Sequence, residues 1–170
     1  MIRDILFSIL QFVLLILAQV FILNNINFLG FINPMIYVWF IILLPFSSPK
    51  WLVLLYSFVL GFCVDIFSSD IGINALVCVF VGFLRPMLLN VFSGNIDNFG
   101  FRRPSISSLG LINFLLFAGS TVMIHHMIYF LIYTFAWNEI LQVILRTLIS
   151  SIVTLLLILL LDMIFFKKRV

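Results

Sequence analysis

The sequence predicts an all-α membrane protein, a bundle of six transmembrane helices with no soluble domain. Two observations carry this. Of 170 residues, 65% are hydrophobic and 9% are charged, whereas a soluble domain carries about 25% charged residues. The apolar residues also fall into runs near the roughly 20-residue length that crosses a bilayer as a helix. A β-barrel is excluded, because its lumen-facing positions would alternate polar with apolar.

The spans read as 4–23, 33–47, 50–67, 70–92, 109–135 and 139–165. The first follows Met1-Ile2-Arg3-Asp4 without a small-x-small cleavage site, so it is expected to be a retained helix. Asn24 to Ile32 is broken by Asn residues and Gly30 and is expected to be an outer loop dipping into the interface. The short second span is expected to begin with Asn33 as cap and Pro34 in its first turn, and to end near Pro45. Asp70 is expected to cap the fourth span, with Ser69 as the rival. The polar stretch Ser93 to Ser108 is the longest loop and is too short to be a domain. Cys63 and Cys78 lack metal-ligand spacing and read as small apolar fillers.

Charge sets the threading. With the N-terminus inside, the inner segments hold Arg3, Lys50, Arg102, Arg103, Lys167, Lys168 and Arg169, and the outer segments hold Asp65, Asp70 and Glu139 without Lys or Arg. The positive-inside rule then places both ends in the cytoplasm. The net charge of +3 is scattered at the flanks of apolar runs, which points to lipid and away from nucleic acid.

Ionisable groups inside the membrane each need an account. Arg146 belongs to a stripe of Gln142, Arg146, Ser150 and Thr154, with Thr147 and Ser151 beside it. One reading is close packing through small residues with Arg146 snorkelling outward. The other pairs Arg146 with Asp65, because an acid at a helix C-terminus opposes the dipole and calls for a partner. Gly61 lies one turn below Asp65 on the same face. Arg85 is expected near the inner interface, snorkelling, with Pro86 kinking the helix and Met87 to Phe92 along the inner surface. His125 and His126 are adjacent, about 100° apart on a helix, and cannot share a metal as an i, i+4 pair can. His125 reads as a core histidine satisfied by a neighbour, or as part of a ladder of Thr121, His125, Tyr129 and Tyr133 lining a cavity. Ser8, Gln11 and Gln19 read as helix–helix glue. No metalloprotease, nucleophile-elbow or phosphate-loop motif is present, and no enzyme activity, cofactor or metal is expected.

Asn33-Pro34 opening the second span, then Gly61-Phe62 and Asp65, Gly72, Asn74 and Ala75, and Gly82-Phe83-Leu84-Arg85 around the third and fourth spans, resemble the rod shape-determining MreD family. The likeness covers nearly the whole chain. It implies a fold similar to the substrate-binding S-components of energy-coupling factor transporters. It also implies a non-catalytic role in bacterial cell elongation in the inner membrane. There the chain would dock MreC and, through it, MreB, RodA and a class B penicillin-binding transpeptidase, supporting peptidoglycan synthesis. S-components carry small residues four apart in the first span to engage a coupling protein, and this chain has only Ala18 there. That departure argues against uptake, although a small-solute binding or transport protein of S-component type remains the second reading. Residue chemistry and the resemblance together leave Asp65, Arg146, Gly61, Gly72, Asn74, Arg85 and His125 as the candidate structural or partner-docking residues.

Overall fold

A computed structural model describes residues 2–25, 32–68, 72–94, 99–100, 102–134 and 137–166, with the side chains of 2–5 and 137 left aside. The expectation for Asp70 as a helix cap, and most of the Asn24 to Ile32 loop, lie outside the described residues.

The described elements are helices: α1 (Ile2–Leu17, continued by a π-helical turn Ala18–Ile22 and a 3-10 turn Leu23–Asn25), α2 (Val38–Leu43), α3 (Lys50–Phe67), α4 (Ile73–Ser93), α5 (Ile106–Leu109), α6 (Leu111–Thr134) and α7 (Ile140–Phe165). Five of them are long and apolar enough to cross a membrane: Leu6–Asn25 with its two terminal turns, α3, α4, α6 and α7. This is a multi-pass membrane protein. Their outer faces carry large apolar side chains such as Trp51, Phe83, Ile112 and Ile164, each more than 60% exposed, as lipid contact requires.

The expected second span is the one that differs. Asn33 and Pro34 do not open a helix. Residues 33–35 belong to no helix, and the helix begins at Val38 and lasts six residues. It stops where expected, because Leu44 precedes Pro45 and turns out of the helical region at ψ 140°. A span exposed to lipid would show one apolar outer face, but Met35 to Leu44 is buried on every side. The long helices pack in the order α3 on α4, α4 on α6 and α6 on α7, with α1 against α3. The segment 33–44 lies inside them and touches α1, α3, α4, α6 and α7.

The α3–α4 pair is the tightest contact. A Cβ on Gly61 would sit 2.5 Å from the Ala75 Cα and the Asn74 carbonyl oxygen, so only glycine lets the two helices meet there. The turn between them ends on Gly72 at φ +81°, in the left-handed region where glycine carries no penalty. α4 then continues through Pro86 to Ser93.

Replacing Gly61 by Leu is expected to separate α3 from α4 and abolish the monodisperse peak of the detergent-purified protein on size exclusion. Gly119→Ala, whose Cβ would meet only Leu155 Cδ2 at 3.6 Å, should elute unchanged.

Candidate functional site

Extended backbone at membrane depth leaves peptide groups that no water can serve, and each must find a partner within the protein. In an extended chain, the N–H and C=O groups of successive residues point to opposite sides, and the hydrogen bonds of residues 33–36 follow that alternation. Here the two sides are served by different helices.

On one side, a single glutamine acts as the neighbouring strand. Gln19 Nε2 donates to the Pro34 carbonyl at 3.0 Å, and Gln19 Oε1 accepts from the Ile36 N–H at 3.0 Å. Gln19 sits in the π-helical turn of α1 and is 1% exposed. Its amide is further oriented by Asn24 Oδ1 at 2.8 Å.

On the other side, the Asn33 N–H donates to Ser150 Oγ and the Met35 N–H to Thr154 Oγ1, both at 3.1 Å. The match is geometric. Residues four apart on a helix rise about 6 Å, and residues two apart on an extended chain about 6.6 Å. A Ser/Thr pair at i, i+4 therefore meets two successive inward N–H groups. His126 completes this side. Its Nδ1 lies 2.9 Å from the Val122 carbonyl, and its Nε2 lies 3.3 Å from both the Thr154 hydroxyl and the Asn33 carbonyl.

The far end of α2 meets Arg85. Its Nη2 donates to the carbonyls of Leu44 and Ile42, the open C-terminal acceptors of that helix. A cation there also suits the helix dipole. Arg85 is 2% exposed, so the expectation that it snorkels to the inner interface is corrected. A snorkelling arginine needs a path to water, and this one is closed in beneath α2.

Asp65 is held by α4. Its Oδ1 accepts from the Asn74 N–H at 3.0 Å and Asn74 Nδ2 at 2.9 Å, and its Oδ2 accepts from the Ala75 N–H at 2.8 Å. The partner that an acid at the end of α3 calls for is therefore the open N-terminus of the next helix. Arg146 is half-buried on α7. Gly61, Asp65, Gly72 and Asn74 thus form one unit. Gly61 allows the approach, Gly72 makes the turn, and Asp65 and Asn74 close it.

That unit is wired to the centre. Tyr37 donates its hydroxyl to Asn74 Oδ1 at 2.8 Å, and His125 Nε2 lies 3.2 Å from the same hydroxyl. The ring of Tyr37 is also edge-on to His125. His125 is thus a buried histidine bonded to a neighbour. The ladder it was expected to share does not act as one surface. Thr121 donates to its own helix at Phe117, and Tyr133 is exposed.

Of the seam expected on α7, Ser150, Thr154, Thr147 and Ser151 are buried, while Gln142 is exposed and Arg146 half-buried. The buried face runs Val143, Thr147, Ser150, Ser151, Thr154, Ile158 and Asp162, and Gln142 is outside it. Asp162 was missed altogether. Its Oδ2 accepts from the Ile106 N–H at 2.9 Å, capping α5 as Asp65 caps α4. Arg103 was read only as an inner-side charge. It donates to Ser8 Oγ at 2.7 Å and Gln11 Oε1 at 3.0 Å, tying the loop before α5 to α1.

Thr154→Val keeps the shape but leaves the Met35 N–H unpaired, and should lower unfolding stability by about 1–2 kcal/mol. Thr147→Val, on the same helix and equally buried, removes a hydroxyl with no hydrogen-bond partner and should be neutral or stabilising. Arg85→Leu should cost more than Thr154→Val, because it uncovers two carbonyls, and Arg85→Lys should recover part of the loss. Denaturant unfolding in detergent measures all four. No family model, curated protein or solved structure matches this chain, so the use of this arrangement is argued from its own geometry.

Proposed function

We propose that the chain is a non-catalytic docking protein of the bacterial cell-elongation machinery, as the MreD resemblance implies. It would receive the transmembrane helix of the bitopic partner MreC, and through it act with MreB, RodA and a class B penicillin-binding transpeptidase. The observation that carries the reading is the use of the buried polar groups. Gln19, Ser150, Thr154, His126, Arg85 and Asp65 all bond main chain, so the polar interior holds the fold. A rigid interior of this kind suits a platform more than a catalyst.

The proposed threading keeps six crossings in the inner membrane with both ends cytoplasmic. Residues 33–46 run from the Gln19 and Ser150 level to a main-chain bond between the Phe46 N–H and the Arg102 carbonyl. That direction supports a sixth crossing made by a short helix and its extended lead. The basic residues at one end support the cytoplasmic side.

The docking surface we favour is the groove between α1 and α3. It encloses about 480 Å³ and is floored by Phe40 and Leu44 of the buried segment, with Ile9, Phe12, Leu55 and Val59 as walls. Ile9, Leu55 and Val59 are exposed apolar side chains there. Such a groove suits packing by an apolar helix.

The second reading, an S-component-like solute protein, has one observation in its favour. A broken segment at the centre of a bundle is how many transporters build a binding site, with helix ends aimed at the solute. Here both ends of the broken segment are met by the chain's own side chains, which favours the structural role.

A photo-crosslinking residue at Leu55 or Val59, in cells, should capture a bitopic wall-synthesis protein. The same residue at Leu141 on α7 should not. Capture from Leu141 alone would contradict the assigned groove, and solute uptake lost with rod shape intact would support the second reading.

A further inference from the structure

The other side of α1 carries a second feature with different chemistry. A narrow fissure of about 180 Å³ separates α1 from α7, and Trp39 of α2 lies at its base. Its walls are apolar: Leu10, Leu14, Leu15 and Ala18 on α1, Leu161 and Phe165 on α7. Two hydrogen-bond donors line it as well. Gln11 Nε2 and Trp39 Nε1 are buried and have no acceptor, with Gln11 8% and Trp39 3% exposed.

These orphans are not free to turn away. Gln11 Oε1 accepts from Arg103 Nη1, which holds the amide in place beside the fissure. Trp39 is clamped by its surroundings, with the Phe165 ring 6.0 Å away. A buried donor without an acceptor costs about 1–3 kcal/mol, so two in one apolar cleft call for an acceptor from outside. A trapped water would gain at most these two partners, the lower limit for an ordered water, because the rest of the lining is apolar.

The fissure is polarised along its length. From Phe7 to Ala18 the α1 wall runs about 16 Å. The Phe7 end has the Arg103 guanidinium 5.3 Å from the ring centroid, and Gln11 one turn further in. Beyond Gln11 the α1 wall is apolar. A cation and two N–H donors followed by an apolar slot match a headgroup followed by an acyl chain. A helix, at about 10 Å diameter, is too wide for the space.

We propose that this fissure binds one glycerophospholipid. Its ester carbonyl or phosphate oxygens accept from Gln11 and Trp39, its headgroup phosphate lies by Arg103, and one acyl chain fills the slot between α1 and α7. The site is independent of the α1–α3 groove.

The test uses the whole chain in detergent. Its three tryptophans are Trp39, Trp51 and Trp137. A Trp51→Phe/Trp137→Phe variant, titrated with brominated phosphatidylglycerol, should show saturable quenching of Trp39. Adding Gln11→Leu should move the midpoint about tenfold higher, the loss of roughly one hydrogen bond to a charged or strongly polar acceptor. A Trp39→Phe/Trp137→Phe variant reports lipid-facing Trp51, 65% exposed, and should quench without saturating. If Trp39 quenches like Trp51, or if Gln11→Leu leaves the midpoint in place while its thermal melt is intact, the site does not exist. If Gln11→Leu does not fold, the Trp39 and Trp51 comparison decides alone.

Discussion

The structure depends on one constraint: extended main chain inside a bilayer must be hydrogen-bonded by the protein itself. Residues 33–36 break the helical ladder, and their peptide groups are taken up by Gln19 on one side and by Ser150 and Thr154 on the other. Everything else arranges itself around this need. α1 and α7 must flank the segment to bring those side chains in. Arg85 must reach the open end of α2 from below. The result is a central segment buried on all sides, surrounded by helices whose outer faces are free to be apolar.

A second theme is how buried acids are tolerated. Asp65 and Asp162 are each almost wholly buried; Asp65 accepts from two N–H groups in the first turn of α4, and Asp162 from the first N–H of α5. A carboxylate in this place meets the positive end of the helix dipole and satisfies donors that the helix cannot satisfy alone. Asp65 does so across a contact that only glycine at 61 permits, which joins packing, turn geometry and electrostatics in one place. Through Asn74 and Tyr37 that corner also fixes the start of α2, so the α3–α4 pair and the central segment are mechanically one body.

Much of this was legible in the sequence. Hydrophobic length and caps located α3 to the residue and α6 and α7 to within two residues at either end. Gly61 and Asp65 stood out as polar or small positions on one helix face, and the MreD resemblance added Gly72 and Asn74 to them. The second span was misread because an apolar run looks the same whether it faces lipid or is enclosed, and hydropathy carries no sign of the difference. The signal lay elsewhere in the chain. Gln19, Ser150 and Thr154 are polar groups in mid-helix with the spacing of an extended strand's N–H groups, and they read as small-residue packing when their partner is unknown. Arg85 was misplaced for a related reason: depth along a helix was read as depth in the bilayer, without α2 above it.

The account stands on the main-chain bonds of the buried segment. Hydrogen–deuterium exchange of the protein in lipid nanodiscs, followed on a peptide covering 33–46, tests them directly. Protection comparable to that of α4 is the predicted result. Exchange within seconds, as for an open loop, would contradict it and remove the reason for the polar groups on α1 and α7.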